Sequence, residues 1–155
     1  MKENVRVDVL GPDGTTATWN LACAQRGEEF AVTATDPAGV AWTGTGHDWF
    51  DALRALRVVL DPLGFRLLCA GARADVGQSG MLADSTQGEY VYLLKPGRSP
   101  KQTAWIFDPA NAAEVASVAD QEASFERWLA VPTRAGPLEP VTSLLRECWL
   151  RIRYR

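Results

Sequence analysis

The spacing of the hydrophobic residues changes at Gly46, and this change constrains the fold more than any other feature of the chain. Before it, over residues 4–45, apolar side chains alternate with polar ones, as in the run 5–9, which is the pattern of a half-buried strand. The turn sequences GPDG at 11–14 and DPAG at 36–39 separate such runs. Because short connections join antiparallel neighbours, residues 4–45 predict an antiparallel β-meander.

After this point, the large apolar residues recur every three or four positions over residues 48–62, which is helical spacing. The stripe consists of Trp49, Leu53, Leu56 and Leu60. A helix with such a stripe must bury it, since each large side chain contributes about 1.5–3 kcal/mol on burial. We therefore expect this helix to pack across the meander.

Three further strands are expected over residues 65–108. Phe65–Ala70 is an almost continuous apolar run, which is typical of a central strand of a sheet. The other two strands are Tyr90–Leu94 and Ala104–Phe107, and the Asp108-Pro109 pair ends the last one because proline cannot extend a ladder. The sequence does not specify the order of these strands.

The last segment, residues 112–155, is expected to be mainly helical. The alanine-rich stretch 112–118 predicts a short helix, and Asp120 is a candidate N-cap of a second helix. Three prolines over 132–140 indicate a linker. The tail after it has a helical apolar face of Leu144, Leu145, Cys148, Trp149 and Ile152. Residues 150–154 also alternate, so a strand remains the alternative there.

Length and composition bound the class of protein. A chain of 155 residues with 46% hydrophobic residues fits one α+β domain with a full core, spanning residues 1–155. A net charge of −3 argues against nucleic acid as the main partner. Three cysteines without C-x-x-C spacing favour a reducing compartment, and no run is long enough to span a bilayer. We expect a cytoplasmic protein with neither nucleic acid nor a membrane as its partner.

Six tryptophans are many for a chain of this size. Four of them lie on apolar stripes where core packing explains them, namely Trp19, Trp42, Trp49 and Trp128. The positions of Trp105 and Trp149 are less clear from the pattern. Any tryptophan that is left partly exposed is a candidate interface anchor, since tryptophan is enriched in binding hot spots.

The polar loop at 69–81 is the best candidate for a functional site, because it places charged and hydroxyl side chains among glycines between two apolar runs. Its candidate residues are Arg73, Asp75, Gln78, Ser79 and Met81. In one interpretation the arginine and the aspartate only fix the loop by charge-assisted hydrogen bonds. In the other, the loop contacts a ligand or partner, with the glutamine and serine as polar contacts and the methionine as an apolar anchor.

Catalytic motifs are weak throughout the sequence. A triad of Ser79, His47 and Asp75 can be written, but the G-x-S-x-G elbow is missing. Cys69 lies in an apolar run, where a thiol is buried and inert. His47 is the single histidine, and the cysteines lack zinc-ligand spacing. We therefore expect no catalytic residue, no metal and no cofactor, and hence a protein that is not an enzyme.

The string Gly-Ala-Arg-x-Asp-Val-x-x-Ser-Gly-Met at 71–81, together with the preceding stretch 51–69, is similar to a group of small bacterial immunity-type proteins of polymorphic toxin systems. The resemblance extends over about residues 42–108. It implies a non-catalytic protein that binds and neutralises a cognate toxin encoded nearby. A tryptophan-proline pair that the resemblance implies after the valine is Gly77-Gln78 in this chain.

An alternative from another class is a small enzyme or ligand-binding domain that uses the 71–81 loop. It requires His47, Arg73 and Asp75 to lie together in one concave site. The immunity-type hypothesis requires a stable surface complementary to the toxin, and an acidic surface would speed association with a basic toxin.

Overall fold

A computed structural model describes residues 1 and 3–132 of the chain. Two antiparallel sheets and three helices make up this part, which confirms the predicted α+β class. The strands are β1 (Asn4–Leu10), β2 (Thr16–Arg26), β3 (Glu29–Thr35), β4 (Ala41–Gly46), β5 (Arg66–Leu67), β6 (Val76–Gly77), β7 (Tyr90–Leu93) and β8 (Gln102–Trp105). The helices are α1 (Trp49–Leu60), α2 (Gly80–Thr86) and α3 (Val118–Ala130).

The first four strands form the predicted meander. They belong to a five-stranded sheet with the order β4-β3-β2-β1-β5. The register pairs Val7 with Trp19 and Leu21 with Ala34, so the buried residues of neighbouring strands share one face. On the opposite face the side chains are short or polar, and Thr33 and Thr43 bond to each other at 2.8 Å. One buried and one exposed face explain the strict alternation of the sequence.

Helix α1 covers the buried face of this sheet, as its apolar stripe predicts. Asp48 caps the helix by accepting a 2.7 Å hydrogen bond from the backbone N–H of Asp51. Leu53 and Leu56 are fully buried against the strands. The helix backbone passes directly over Gly44 of β4, which has no side chain to keep the two elements apart. This close approach fixes α1 across the meander.

A second sheet follows the helix, with the order β6-β7-β8. It continues the core, because Val76, Val91 and Ile106 are fully buried together with the residues of the first sheet. Within the described ranges, none of the three helices has the length and apolar content needed to cross a membrane.

The predicted central strand at Phe65–Ala70 is wrong. Only Arg66–Leu67 forms a strand, and it lies at the edge of the first sheet, paired with β1. The chain then bonds to a different segment, with Ala70 N–H donating to the carbonyl of Asp108 at 2.8 Å. The run is apolar because β1 contacts its first half and the segment at 108–110 contacts its second half.

The expected helix at 112–118 is also wrong. This stretch makes a turn and then bonds to residues 72–74, with Ala116 N–H donating to the carbonyl of Ala72 at 3.0 Å. These tertiary backbone bonds replace the local helical ones. The following helix exists, but its N-cap is Ser117 rather than Asp120, which lies in the first turn and donates its N–H to the serine Oγ.

The aromatic residues pack mainly as expected. Trp19 and Trp49 are buried, and Trp42 stacks on Trp19 with ring centroids 5.2 Å apart. Trp105 is half-buried and packs edge-on against Phe107. The predicted linker at 132–140 and the tail, with Trp149 and the choice between helix and strand at 150–154, lie outside the described residues except for Pro132.

Candidate functional site

The motif loop, residues 69–81, is more ordered than the sequence indicates. It contains a 3-10 turn at Ala70–Ala72, the short strand β6 and the first residues of α2. Helix α2 was not predicted, because its seven residues include Gly80, Ser85 and Thr86, which are poor helix formers. The available signal was Ser79 as an N-cap at its start and the glutamine-glycine pair after its end.

The buried side of the motif loop is held by a network that sequence reasoning missed. Arg57 of α1 is only 2% exposed, and its Nη1 donates to the carbonyl of Gly71 at 3.0 Å and to Gln121 Oε1 at 2.7 Å. Its Nη2 donates to the carbonyl of Ala116 at 2.9 Å. In turn, Gln121 Nε2 donates to the carbonyls of Gly71 and Arg73. One arginine and one glutamine thus satisfy the inner carbonyls of the loop.

This Arg57–Gln121 network joins three elements that are distant in sequence. Burial lowers the pKa of the Arg57 guanidinium, and the nearby carboxylate of Asp61 acts in the opposite direction. The three acceptors that the arginine contacts are all neutral oxygens. A buried guanidinium is tolerated here because its donors are satisfied. The available sequence signal was its position, four residues after Leu53 and three before Leu60, on the buried stripe.

Two glycines of the motif loop are needed for close packing. A Cβ on Gly71 would lie 2.6 Å from Leu53 Cδ2, so the loop contacts α1 through its backbone. A Cβ on Gly77 would lie 2.6 Å from the ring of Phe125. The Phe125 ring therefore takes the space that a side chain at 77 would need, which is where this chain departs from the tryptophan implied by the resemblance.

The charged residues of the motif loop bond to each other. Arg73 Nε and Nη2 donate to Asp75 Oδ1 and Oδ2, each at 2.8 Å, which is a bidentate pair. Arg73 Nη1 also lies 3.1 Å from Glu114 Oε1. The hydrogen bonds to Arg73 hold the pKa of the Asp75 carboxyl below its ordinary value. This geometry agrees with the first interpretation of the sequence, in which Arg73 and Asp75 fix the loop by charge-assisted hydrogen bonds.

The next two candidate residues are also engaged. Gln78 is buried, and its Nε2 donates to the carbonyl of Tyr90 at 3.1 Å. Ser79 is the N-cap of α2, with its Oγ accepting the N–H of Leu82 at 3.2 Å. The Gln78 bond ties the residue before the cap to β7, and the Ser79 bond closes the first turn of α2. Neither of them projects as a free polar contact.

Met81 differs from the other candidates because it is 68% exposed. It lies in the first turn of α2, two residues after the serine cap. Among the described residues it is the most exposed of the large hydrophobic side chains. The motif loop therefore acts as a support for α2 and leaves one apolar side chain in solvent.

The residues of the alternative catalytic hypothesis lie in separate environments. His47 is exposed at the β4–α1 junction, where its backbone N–H donates to Asp51 Oδ2 at 3.1 Å. Within the described ranges, no hydrogen bond or ion pair joins it to Arg73 or Asp75. The hydroxyl of Ser79 bonds to a backbone N–H instead of an imidazole.

The two described cysteines are buried free thiols, as predicted. Burial raises the pKa of both Cys23 and Cys69 to about 11. Only a small fraction of either is the reactive thiolate at neutral pH. In the part of the chain that the structure describes, no three or more His, Cys, Asp or Glu side chains are grouped so that they could hold a metal ion.

The Arg73–Asp75 pair leads to a pH-dependent prediction. Because the folded-state pKa of Asp75 is lowered, the pair stabilises the fold above the unfolded pKa of about 3.9, and this contribution disappears as the pH falls through the folded pKa. Asp75→Asn is expected to cost at most about 1 kcal/mol at neutral pH, since the carboxylate is half exposed.

Urea unfolding at several pH values measures this cost. The difference between Asp75→Asn and the natural protein should shrink below about pH 4. Asp84→Asn is the matched control, since Asp84 is exposed on α2 and makes no ion pair within the described residues. A cost of Asp75→Asn that is constant with pH would contradict the assignment.

Comparison with known proteins adds no identification: no model of a protein family matches the chain, and no curated protein is similar to it.

Proposed function

We propose that this protein is a non-catalytic binding protein, an immunity protein that binds and neutralises a cognate toxin encoded nearby. The observation that carries the proposal is which side chains of the motif loop bond within the protein and which one is exposed. Its four polar candidate residues bond within the protein, while Met81 on α2 is exposed. A loop built in this way presents a surface rather than reactive groups.

The contacts that hold α2 in place favour binding. The Arg57–Gln121 network, the Arg73–Asp75 pair and the Ser79 cap together hold α2 in one position before a partner arrives. A surface that is ordered in the free protein loses less conformational entropy on association. An inhibitor that must bind tightly and quickly benefits from such preorganisation.

An exposed methionine suits this role. Its unbranched thioether chain adapts to irregular partner surfaces, and methionine is enriched in protein interfaces. Met81 lies on a helix whose remaining exposed residues, such as Asp84 and Ser85, are short and polar. An apolar side chain with a polar surround is the usual arrangement of a binding hot spot and its rim.

Co-expression tests the proposed function. Each open reading frame next to this gene is induced in a bacterial host, alone and together with this protein. The proposal expects that one neighbouring product stops growth, that co-expression restores growth, and that the two proteins purify as a complex. If no neighbouring product is toxic, or if a toxic one is neither bound nor neutralised, the proposal is wrong.

Truncation of Met81 is expected to weaken the complex. Met81→Ala should raise the Kd for the toxin about 10-fold or more, which corresponds to about 1.4 kcal/mol or more, because it removes the apolar anchor. Leu63→Ala is the matched control, since Leu63 is a large apolar residue that is 47% exposed outside the motif loop. Equal effects of the two variants in surface plasmon resonance would exclude α2 as the binding surface.

A further inference from the structure

Strand β4 is one edge of the first sheet, and within the described residues only its inner side is paired. Proteins usually protect such an edge with a lysine, a proline, a bulge or a very short strand, because unpaired backbone groups otherwise pair with another chain. Strand β4 has no charged residue and no proline, and its register with β3 runs without a bulge. It is therefore an unprotected edge.

The other edges in the described part of the chain are short or blocked. Strand β5, at the opposite edge of the first sheet, has two residues, and so does β6. Strand β8 follows directly on Pro100 and Lys101, and the N–H of Trp105 at its end donates to Asp108 Oδ2 at 3.0 Å. The lack of protection is thus particular to β4.

The hydrogen bonding of the β3–β4 hairpin shows which backbone groups of β4 point outward. The N–H of Asp36 donates to the carbonyl of Val40 at 2.9 Å, so Val40 is a hydrogen-bonded position of this pair. Such positions alternate along an antiparallel pair, and the next ones are Trp42, Gly44 and Gly46. The residues between them direct their N–H and C=O groups away from β3, namely Ala41, Thr43 and Thr45.

This set of outward groups is symmetric about Thr43, so β4 is complementary to a reversed copy of itself. With Thr43 opposite Thr43 in an antiparallel pair, Ala41 of each copy faces Thr45 of the other. Every outward N–H and C=O of the three residues then has a partner, because residues at hydrogen-bonded positions exchange both bonds. The arrangement has the two-fold symmetry that is most common among oligomers.

Helix α1 extends this edge with an uncharged flank. The helix backbone passes over Gly44 at Ala52 and Leu56. Ala55 and Val59 follow these two residues by three positions, on the side of the helix opposite the flank that bonds to α3. Val59 is 44% exposed. Small and medium side chains of this kind allow two helices to pack at about 8–10 Å.

The charges favour a second copy at this surface. The chain carries a net charge of −3, so two copies repel each other over most of their surface. Residues 37–46 contain no charged side chain, which lets two copies of the edge meet without like charges facing each other. His47, the first titratable residue after β4, would lie opposite the uncharged Gly39 of the second copy.

We infer that this protein forms a two-fold dimer in which the β4 strands of two copies pair antiparallel, with Thr43 opposite Thr43. The two five-stranded sheets join into one continuous sheet, and the flanks of the two α1 helices, with Ala55 and Val59, lie side by side above the junction. The inference does not depend on the proposed function, since the dimer forms without a toxin.

Sedimentation velocity of the full chain tests the dimer. The mass should change from 16.9 kDa to twice that value as the concentration rises from about 1 to 200 μM. Thr43→Lys should raise the dissociation constant of the dimer about 10-fold or more, because it sets two lysines opposite each other. Thr33→Lys is the matched control: it also breaks the bond between Thr33 and Thr43, but β3 is not at the edge. It should change the constant by no more than about 2-fold.

Two neighbouring valines test the helix flank. Val58 and Val59 are 51% and 44% exposed, and Val58 lies one turn after Arg54, which pairs with Glu122 of α3. Val59→Asp should weaken the dimer about 10-fold or more, since it places a charge between the two helices. Val58→Asp should leave the dimer unchanged, because Val58 lies away from the β4 edge. Equal effects of the two variants would overturn the arrangement.

Cross-linking tests the register. Residues opposite each other at a hydrogen-bonded position have Cα atoms about 5.5 Å apart, which a disulfide can bridge. In a Cys148→Ser background, Thr43→Cys should therefore form a covalent dimer when the thiols are oxidised with diamide. Thr45→Cys should not, because the two copies of residue 45 are four residues out of register, about 13 Å apart. The described native cysteines, Cys23 and Cys69, are buried.

The results that overturn the inference are equally definite. A chain that stays monomeric over the whole concentration range overturns it, and slow amide exchange at Thr43 in such a monomer would mean that another segment of the same chain covers the edge. A dimer that Thr43→Lys does not weaken, or one that Thr45→Cys cross-links as well as Thr43→Cys, also overturns it. None of these results bears on toxin binding.

Discussion

Gly44→Ala is expected to lower the free energy of unfolding by about 3 kcal/mol, at the upper end of the usual cost of overpacking. A Cβ at this position would meet the backbone of α1, with Leu56 N, Ala52 O and Leu56 Cα as its nearest neighbours. Backbone atoms cannot rotate away as a flexible side chain can, so the helix must move off the sheet. Thermal unfolding should shift downward by roughly 6–12 °C for a chain of this length.

Gly11→Ala is the matched control for Gly44→Ala. Its Cβ would lie 3.1 Å from Asp13 Oδ1 and 3.5 Å from the carbonyl of Thr15, and no backbone of another element is closer. We expect a change within about 1 kcal/mol, since the aspartate side chain can shift. Urea denaturation of both variants measures the difference. Equal stabilities would show that α1 does not require the glycine contact.

Arg57→Ala is expected to lower the free energy of unfolding by about 3–4 kcal/mol. The variant leaves buried acceptors without donors, at about 1–3 kcal/mol for each unsatisfied group, and opens a cavity beneath the motif loop. The carbonyl of Ala116 loses its arginine donor, while Gly71 keeps the bond from Gln121. The loss should be visible in urea denaturation as a lower midpoint with an unchanged slope.

Two comparisons separate this network from a general effect of losing charge. Arg54, one turn earlier on α1, is paired with Glu122 at the surface, and Arg54→Ala should cost no more than about 1 kcal/mol. A double-mutant cycle of Arg57→Ala and Gln121→Ala should give a coupling energy of about 1 kcal/mol or more, since the two side chains bond directly. Additive costs would contradict the network.

The first sheet and α1 could be predicted because each has one buried and one exposed face. Val5, Val7 and Val9 are buried while the residues between them are exposed, so the pattern and the structure agree. Helix α1 has the same property at helical spacing. In both cases a local pattern is enough to specify the element, since burial on one side alone sets the period.

The predictions that failed concern segments whose neighbours in the structure come from distant parts of the chain. The run at 65–70 is apolar because β1 and the segment near Asp108 contact it from two sides. The alanine-rich stretch at 112–118 has helical propensity, but its backbone bonds to residues 72–74. Tertiary hydrogen bonds outweighed local preference in each case.

The candidate site was predicted in part. The sequence anticipated that Arg73 and Asp75 could bond to each other. It could not show that Gln78 and Ser79 are used to position α2, because their partners lie on β7 and within an unpredicted helix. The sequence did not predict the buried network either, since Arg57 and Gln121 are 64 residues apart.

Hydrogen–deuterium exchange on the complex with the cognate toxin tests most directly whether α2 is the surface that the motif loop supports for binding. Amides of Gly80–Thr86 and of the adjoining residues 87–90 should exchange more slowly in the complex than in the free protein, because the partner covers them. Slower exchange confined to the small polar face of β2 and β3, with α2 unchanged, would contradict the account.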